Sequence, residues 1–231
     1  MIRIKHAGIA LSAAFLMMTI QVSAQKEIRE AQDFNRVNFS IPGTLEIEQG
    51  DHEGLILMGD KDDLEKIVTK VEDGTLKIKK VKGSAKLTKD VTAKLVVKEL
   101  KELSVNGSGD VIFNTTFKAG EFEMNISGSG DIKCDRLLVN ELEINIAGSG
   151  DMDLGGEVDT DFEISIAGSG DVNAPDLKAA SVEVSIAGSG DAVVWATDEL
   201  ETSIAGSGSV RYKGDPKVNA EIRGSGSTSS Y

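Results

Sequence analysis

Cysteine occurs once in this chain of 231 residues, proline three times and histidine twice, and aromatic residues make up 4% of the total. The lone Cys134 excludes a disulfide framework. It also lies far from the N-terminal apolar segment, so a lipid anchor on a cysteine at that segment's end is unsupported. Of the two histidines, only His52 falls outside the N-terminal segment, and it lies outside the repeats described below, so a serine nucleophile has no repeating base beside it. Basic residues are outnumbered: Lys and Arg total 25 against 38 Asp and Glu, a net charge of −13. That excess of negative charge disfavours nucleic acid and anionic lipid as partners.

Long apolar runs are missing except near the start. Arg3 and Lys5 precede an apolar stretch from Ala7 to Val22, and Val22-Ser23-Ala24 forms a small-residue cleavage site before Gln25. This pattern predicts a secretory signal over residues 1–24, cut between Ala24 and Gln25, and no membrane span in the mature chain. Losing two basic residues takes the net charge to −15. The location this implies is the periplasm or the outer cell surface.

What the chain has in plenty is glycine. Gly-Ser-Gly recurs seven times, starting at Gly107, Gly128, Gly148, Gly168, Gly188, Gly206 and Gly224, in steps of 21, 20, 20, 20, 18 and 18 residues. A fixed period near 20 residues is the mark of a solenoid in which each repeat forms one coil. Within a copy, apolar residues alternate strictly. Leu142, Ile144 and Ile146 share a parity with Gly148, Gly150, Met152 and Leu154, while Glu143, Asn145, Ala147, Ser149 and Asp151 hold the other. Alternation of period two means strands with one buried face. The fold class expected is all-β, a parallel β-helix of about 20 residues per coil. Right-handedness is the better choice, because no six-residue subperiod of a left-handed hexapeptide helix is visible.

The parity runs through the glycines, so both are expected inward at a tight corner. Ile126, Ile146, Ile166, Ile186, Ile204 and Ile222 are expected to stack as an internal ladder, with Cys134 a small core residue among aliphatic neighbours. Asp153-Leu154-Gly155-Gly156, Asn173-Ala174-Pro175-Asp176 and Lys213-Gly214-Asp215-Pro216 read as looser connections back to the next coil. Residues 25–100 lack Gly-Ser-Gly but carry short alternating runs, a hairpin signal at Asp73-Gly74 and a turn or two of helix between Asp62 and Val68. They are expected to cap the coils of residues 101–231 as part of one domain.

Candidate chemistry lies in the outward columns. Asp110, Asp131, Asp151, Asp171 and Asp191 follow the first five Gly-Ser-Gly copies, and Ser209 and Ser227 the last two. Stacked about 4.8 Å apart, adjacent carboxylates repel by roughly 1 kcal/mol in water. Hydrogen bonds from backbone N–H groups offset this in one reading, and a bound Ca²⁺ in the other. One Asp per coil without Gly-Gly-x-Gly does not match the nonapeptide Ca²⁺ roll, so no metal or other cofactor is assigned. The outward Ser108-to-Ser225 column suggests a hydroxyl ladder. Asn106, Asn125, Asn145, Ser165, Ser185 and Ser203 are expected to form a polar column beside Glu123, Glu143, Glu163, Glu183 and Glu201, a face suited to hydrogen bonding sugars. Polysaccharide lyases and hydrolases use similar solenoids, but Lys133, Arg136, Lys178 and Arg211 do not recur in register with the aspartates.

The tandem Ile144-Asn145-Ile146-Ala147-Gly148-Ser149-Gly150-Asp151 has relatives at 124–131, 164–171 and 184–191. Together with Phe34-Asn35-Arg36-Val37 and Glu72-Asp73-Gly74-Thr75-Leu76-Lys77-Ile78, it resembles the auto-transporter adhesin head GIN domain proteins common in Bacteroidetes. The resemblance implies a right-handed β-helix without catalytic residues and an adhesive role. The function expected is a non-catalytic, exported cell-envelope protein that binds a glycan or an envelope protein, with no catalytic residue. A polysaccharide-active enzyme and a purely structural spacer are the alternatives.

Overall fold

The computed structural model describes residues 25–88 and 91–231. The expected signal over residues 1–24, with Ala24 of its expected cleavage site, lies outside the described residues. Strand accounts for 72% of the described residues and helix for 2%. In order, the elements are β1 (Gln25–Arg29), β2 (Arg36–Ser40), β3 (Gly43–Gln49), β4 (Gly54–Gly59), α1 (Lys61–Leu64), β5 (Ile67–Glu72), β6 (Thr75–Lys80), β7 (Thr92–Val97), β8 (Glu102–Gly107) and β9 (Gly109–Phe113). Then come β10 (Phe117–Gly128), β11 (Ile132–Gly148), β12 (Met152–Gly168), β13 (Val172–Gly188), β14 (Ala192–Gly206), β15 (Ser209–Lys213), β16 (Lys217–Gly224) and β17 (Ser227–Ser230).

The protein is a β-solenoid whose coils pair in parallel at the spacing of the repeats. Ile146 lies beside Ile126 and Ile166, and Gly148 beside Gly128 and Gly168. Identical side chains therefore stack directly, and the ladder from Ile126 through Ile204 is buried. Ile222 departs from the expectation: it is 40% exposed, because the coil that contains it is the last and nothing stacks on its far side. A second interior column runs Met124, Ile144, Ile164, Val184 and the polar Thr202, whose hydroxyl meets that of Thr228 at 2.9 Å, and passes on to Ala220 in the last coil. Three of the aromatics gather where the stack changes character: Phe113, Phe117 and Phe122 pack with centroids 4.8 to 6.1 Å apart.

The connections between coils are not loose. β11, β12 and β13 continue through them, broken only by register shifts such as those at Cys134/Leu137 and Val139/Leu142. Each regular coil thus has a third paired segment, with Leu137 beside Gly156 and Gly156 beside Leu177. Asp153-Leu154-Gly155-Gly156 and Asn173-Ala174-Pro175-Asp176 are bulged corners within strands, whereas Gly214-Asp215-Pro216 is the link from β15 to β16; at Gly156 the approach is closest, and a Cβ there would sit 1.9 Å from the Leu137 carbonyl oxygen.

The N-terminal section is coiled out of order. β2 lies between β6 and β8, and β3 between β7 and β9. The first coil in sequence is therefore inserted behind a later one. Its corner, Ile41-Pro42-Gly43-Thr44, takes the place of Gly-Ser-Gly-Asp, with Gly43 beside Gly109 and Thr44 beside Asp110. The outer edges are closed by antiparallel strands. β5 folds on β6 through Asp73 and Gly74, both at positive φ as the hairpin signal requires, and β4 and β1 extend β7. Among the described residues, helix is limited to α1, capped by the Asp60 side chain, and Ile67-Val68 already belongs to β5.

Candidate functional site

The surface that repeats is the outer side of the strand before each corner and the corner itself. At the corner, the two glycines are required for different reasons, and Gly150 alone of the pair would meet the coil interior as well as the backbone. Gly148 has φ of 140°, which side-chain-bearing residues rarely adopt, and its Cβ would meet the Gly128 carbonyl oxygen at 2.1 Å. Gly150 is the buried one, and its Cβ would meet the Gly130 oxygen at 2.1 Å and the Ile126 side chain at 2.9 Å. The obstacle is the backbone of the coil below, so close stacking of coils selects glycine.

Between the glycines, the serine side chains are outside, as expected, but the rungs are made by backbone. Ser149 N–H donates to the Gly128 oxygen at 2.9 Å, and Ser169 N–H to the Gly148 oxygen at 2.9 Å. The aspartates form a second rung. Asp131 Oδ1 accepts from the Asp151 N–H at 2.9 Å, Asp151 Oδ1 from the Asp171 N–H at 2.8 Å, and Asp171 Oδ1 from the Asp191 N–H at 2.7 Å. Asp110 serves Asp131 at 3.1 Å, and Asp191 serves the Ser209 N–H at 2.7 Å. Each of the five carboxylates satisfies the donor of the next coil, and the column stops at Ser209, which lies beside Ser227 of the last coil. Among the described residues, no group of three or more His, Cys, Asp or Glu is placed to hold a metal ion.

On the strand before the corner, the polar column differs from the expected one by one pairing. Ser104, not Asn106, lies beside Asn125, because Ser104 stands three residues before Gly107 as Asn125 does before Gly128, whereas Asn106 stands one before. The column is Ser104, Asn125, Asn145, Ser165, Ser185 and Ser203, and Asn106 heads the neighbouring one of Ser127, Ala147, Ala167, Ala187 and Ala205. The glutamates align as expected from Glu123 to Glu201, with Glu102 added at one end and Arg36 beyond it. Neighbouring columns are tied: Asn145 Nδ2 donates to Glu143 Oε1 at 2.9 Å, and Asn125 Nδ2 to Glu123 Oε1 at 2.8 Å. The alanine column floors a shallow groove rimmed by Asn145, Ser165, Ser185 and Ser203. A second open groove lies over the glutamates, with Arg36 and Lys101 at its N-terminal end.

The residues weighed for catalysis do not converge. His52 is exposed on the β3–β4 connection, 2.9 Å from Asp51, remote from the serine corners in the fold's N-terminal section. Cys134 is buried, and burial pushes its thiol up to about 12, which makes it a core residue rather than a nucleophile. No helix among the described residues is long and apolar enough to cross a membrane.

A solenoid with a glycine corner, a backbone-and-aspartate rung and a flat repeating face defines a class of surface-presenting β-solenoid proteins. The chain belongs to the family described as "Putative auto-transporter adhesin, head GIN domain", whose model matches residues 33–216. Solved structures share the fold. A putative lipid binding protein from Parabacteroides distasonis is 30% identical, with a TM-score of 0.76 over 91% of this chain and 98% of that one. A putative adhesin from Bacteroides fragilis is 23% identical, with a TM-score of 0.86 over 90% of this chain and 97% of that one. A putative adhesin from Parabacteroides merdae is 23% identical, with a TM-score of 0.76 over 91% and 97%. No curated protein matches the chain.

Proposed function

We propose that this protein is an exported, non-catalytic adhesin-like head that binds a glycan or an envelope protein through the outer face of its coils, in the periplasm or on the outer surface. The observation that supports this most is repetition: Glu, Asn or Ser, and Ala are presented once per coil in straight columns, from Glu143-Asn145-Ala147 to Glu201-Ser203-Ala205. A face of this kind suits a repeating or extended ligand held by many weak hydrogen bonds. Catalysis requires a unique convergence of groups, and the repeats supply the same groups at each level. The interior is filled by the isoleucine ladder, so a lipid, which the Parabacteroides distasonis relative's name suggests for that protein, would have to lie on the outside here.

The test is a glycan array together with a panel of purified envelope proteins, run in parallel with a polysaccharide depolymerisation screen. Binding is expected to fall when Asn145, Ser165 and Ser185 are all changed to Arg, with melting unchanged because these positions point outward. Turnover of a pectin-like polymer, lost on Asp151→Asn, would overturn the reading in favour of an enzyme. Protease treatment of intact cells distinguishes surface from periplasm.

A further inference from the structure

The two ends of the solenoid are finished differently. At the N-terminal end, the coils are closed by antiparallel β5, β4 and β1. At the other end, β16 is paired with β14 along one edge and every one of its residues is exposed. Its inward row, Val218, Ala220 and Ile222, continues the core columns of Leu200, Thr202 and Ile204, yet Val218 and Ile222 are 39% and 40% exposed. An eight-residue strand with a free edge and a half-covered apolar row is a template for another strand.

We propose that this end is a self-association surface, on which β16 of one copy pairs antiparallel with β16 of a second copy about a two-fold axis at Asn219. Charge selects both the occupant and the register. Residues 209–231 carry Arg211, Lys213, Lys217 and Arg223 against Asp215 and Glu221, so this coil is basic in a chain of net charge −13. Two copies repel least where they meet at this end. Antiparallel pairing that keeps both apolar rows on one side of the sheet allows registers centred on Asn219, Ala220 or Glu221. Centring on Ala220 sets Lys217 opposite Arg223, and centring on Glu221 sets two glutamates opposite each other. Centring on Asn219 sets Lys217 opposite Glu221 twice, Val218 opposite Ala220 twice, and brings Arg223 to Asp215 and Ile222 to Pro216. The present partners of these charges, Glu199 for Lys217 at 3.7 Å and Glu221 for Arg223, are exposed pairs that hold little and exchange readily. A closed two-fold contact also ends growth at the dimer, which a head-to-tail contact does not.

The contact is one coil wide, below a standard interface, so the dimer is expected to be concentration-dependent. Sedimentation of the purified protein from micromolar to sub-millimolar concentration reads it directly. The expected result is a monomer–dimer equilibrium. Lys217→Glu alone and Glu221→Lys alone each weaken it about tenfold or more, because each sets like charges opposite each other twice. The double charge exchange restores it to within about threefold. Ile222→Lys weakens it as strongly. Far-ultraviolet circular dichroism and melting of each variant check that the fold is kept. A monomer at every concentration overturns the proposal. So does assembly that continues past the dimer, a single charge reversal that strengthens association as the Ala220-centred register demands, or a double exchange that fails to rescue.

Discussion

At the scale of the residue, the protein is governed by what the next coil allows. Gly148→Ala is expected to lose several kcal/mol, since it forces both a disallowed φ and a clash with the Gly128 oxygen. Gly150→Ala is expected to lose about 1–3 kcal/mol, because the collision is with fixed backbone. Ser149→Ala, at an exposed side chain whose rung is made by its own N–H, is expected to stay within about 0.5 kcal/mol. Urea denaturation separates the three, and equal midpoints would show that the coils are not stacked this closely. The aspartate column makes a sharper case. Asp151→Asn keeps an oxygen for the Asp171 N–H and removes a like charge between Asp131 and Asp171, so it is expected to be neutral or stabilising. Asp151→Ala leaves that N–H to solvent and is expected to cost about 1 kcal/mol. If Asn were as costly as Ala, the carboxylate charge itself would be what the column needs. The alternation around each corner was legible in the sequence because it is a period-two pattern on residues of opposite hydropathy. The tight corner was legible too, in the positive φ of Gly148 and the inward place of Gly150, but the collision with the carbonyl oxygen of the coil below was not, because a collision along the stacking direction leaves no mark on parity.

At the scale of the element, the chain's regular strands were readable and its irregular ones were only partly so. The β5–β6 hairpin followed from Asp73-Gly74, and its two central residues do take positive φ. The insertion of β2 and β3 between later strands was hidden, because Ile41-Pro42-Gly43-Thr44 performs the corner's task without the Gly-Ser-Gly spelling. The apolar alternation of Val37, Phe39 and Ile41 before it and Leu45 and Ile47 after it was the available signal, and it says nothing about stacking order. Within the hairpin, Lys70 and Lys77 face each other across the strands, a repulsive pair. Glu72 bridges both, at 2.7 Å from Lys70 Nζ and 2.8 Å from Lys77 Nζ. The Lys70 hydrogen bond first, and the Lys77 one next, hold the Glu72 carboxyl down from its ordinary 4.5 to about 2. A folded value below the unfolded one contributes stability that is complete above the unfolded value and is lost as pH falls toward the folded one. The hairpin's amide protection is therefore expected to decline from about pH 4.5 toward pH 2 more steeply than that of the outward-facing coils. The effect is modest, since the pair is open to solvent. Glu72→Gln is expected to flatten that decline and to lower protection at neutral pH, where the two lysines then face each other without a bridge. Hydrogen exchange measured by amide NMR checks it, and an unchanged pH profile in the variant would remove Glu72 from the account.

At the scale of the whole molecule, the question is how a stack with a net charge of −13 and a straight column of carboxylates stays together. The sequence showed the column, and with it two ways to hold it: hydrogen-bond donors or a cation. The structure supplies donors at every level, from Asp131 N–H on Asp110 to Ser209 N–H on Asp191. With one carboxylate oxygen of each Asp already engaged by the coil above, neighbouring levels do not have to share a cation to be stable. The chain is then expected to respond to Ca²⁺ as an acidic protein responds to any counterion, through screening of its self-repulsion. Millimolar Ca²⁺ should raise the melting temperature by no more than a few degrees, and Mg²⁺ or NaCl at matched ionic strength should do the same. A specific site behaves differently. It stabilises by RT ln(1 + [L]/Kd), so a site a hundredfold tighter than the working concentration adds about 2.7 kcal/mol. That gain would vanish on chelation and on changing Asp151 and Asp171 to Asn. Calorimetric melting in matched salts decides between them. A large rise confined to Ca²⁺ and abolished by those two substitutions would mean that the backbone rungs position the carboxylates for an ion rather than replace one.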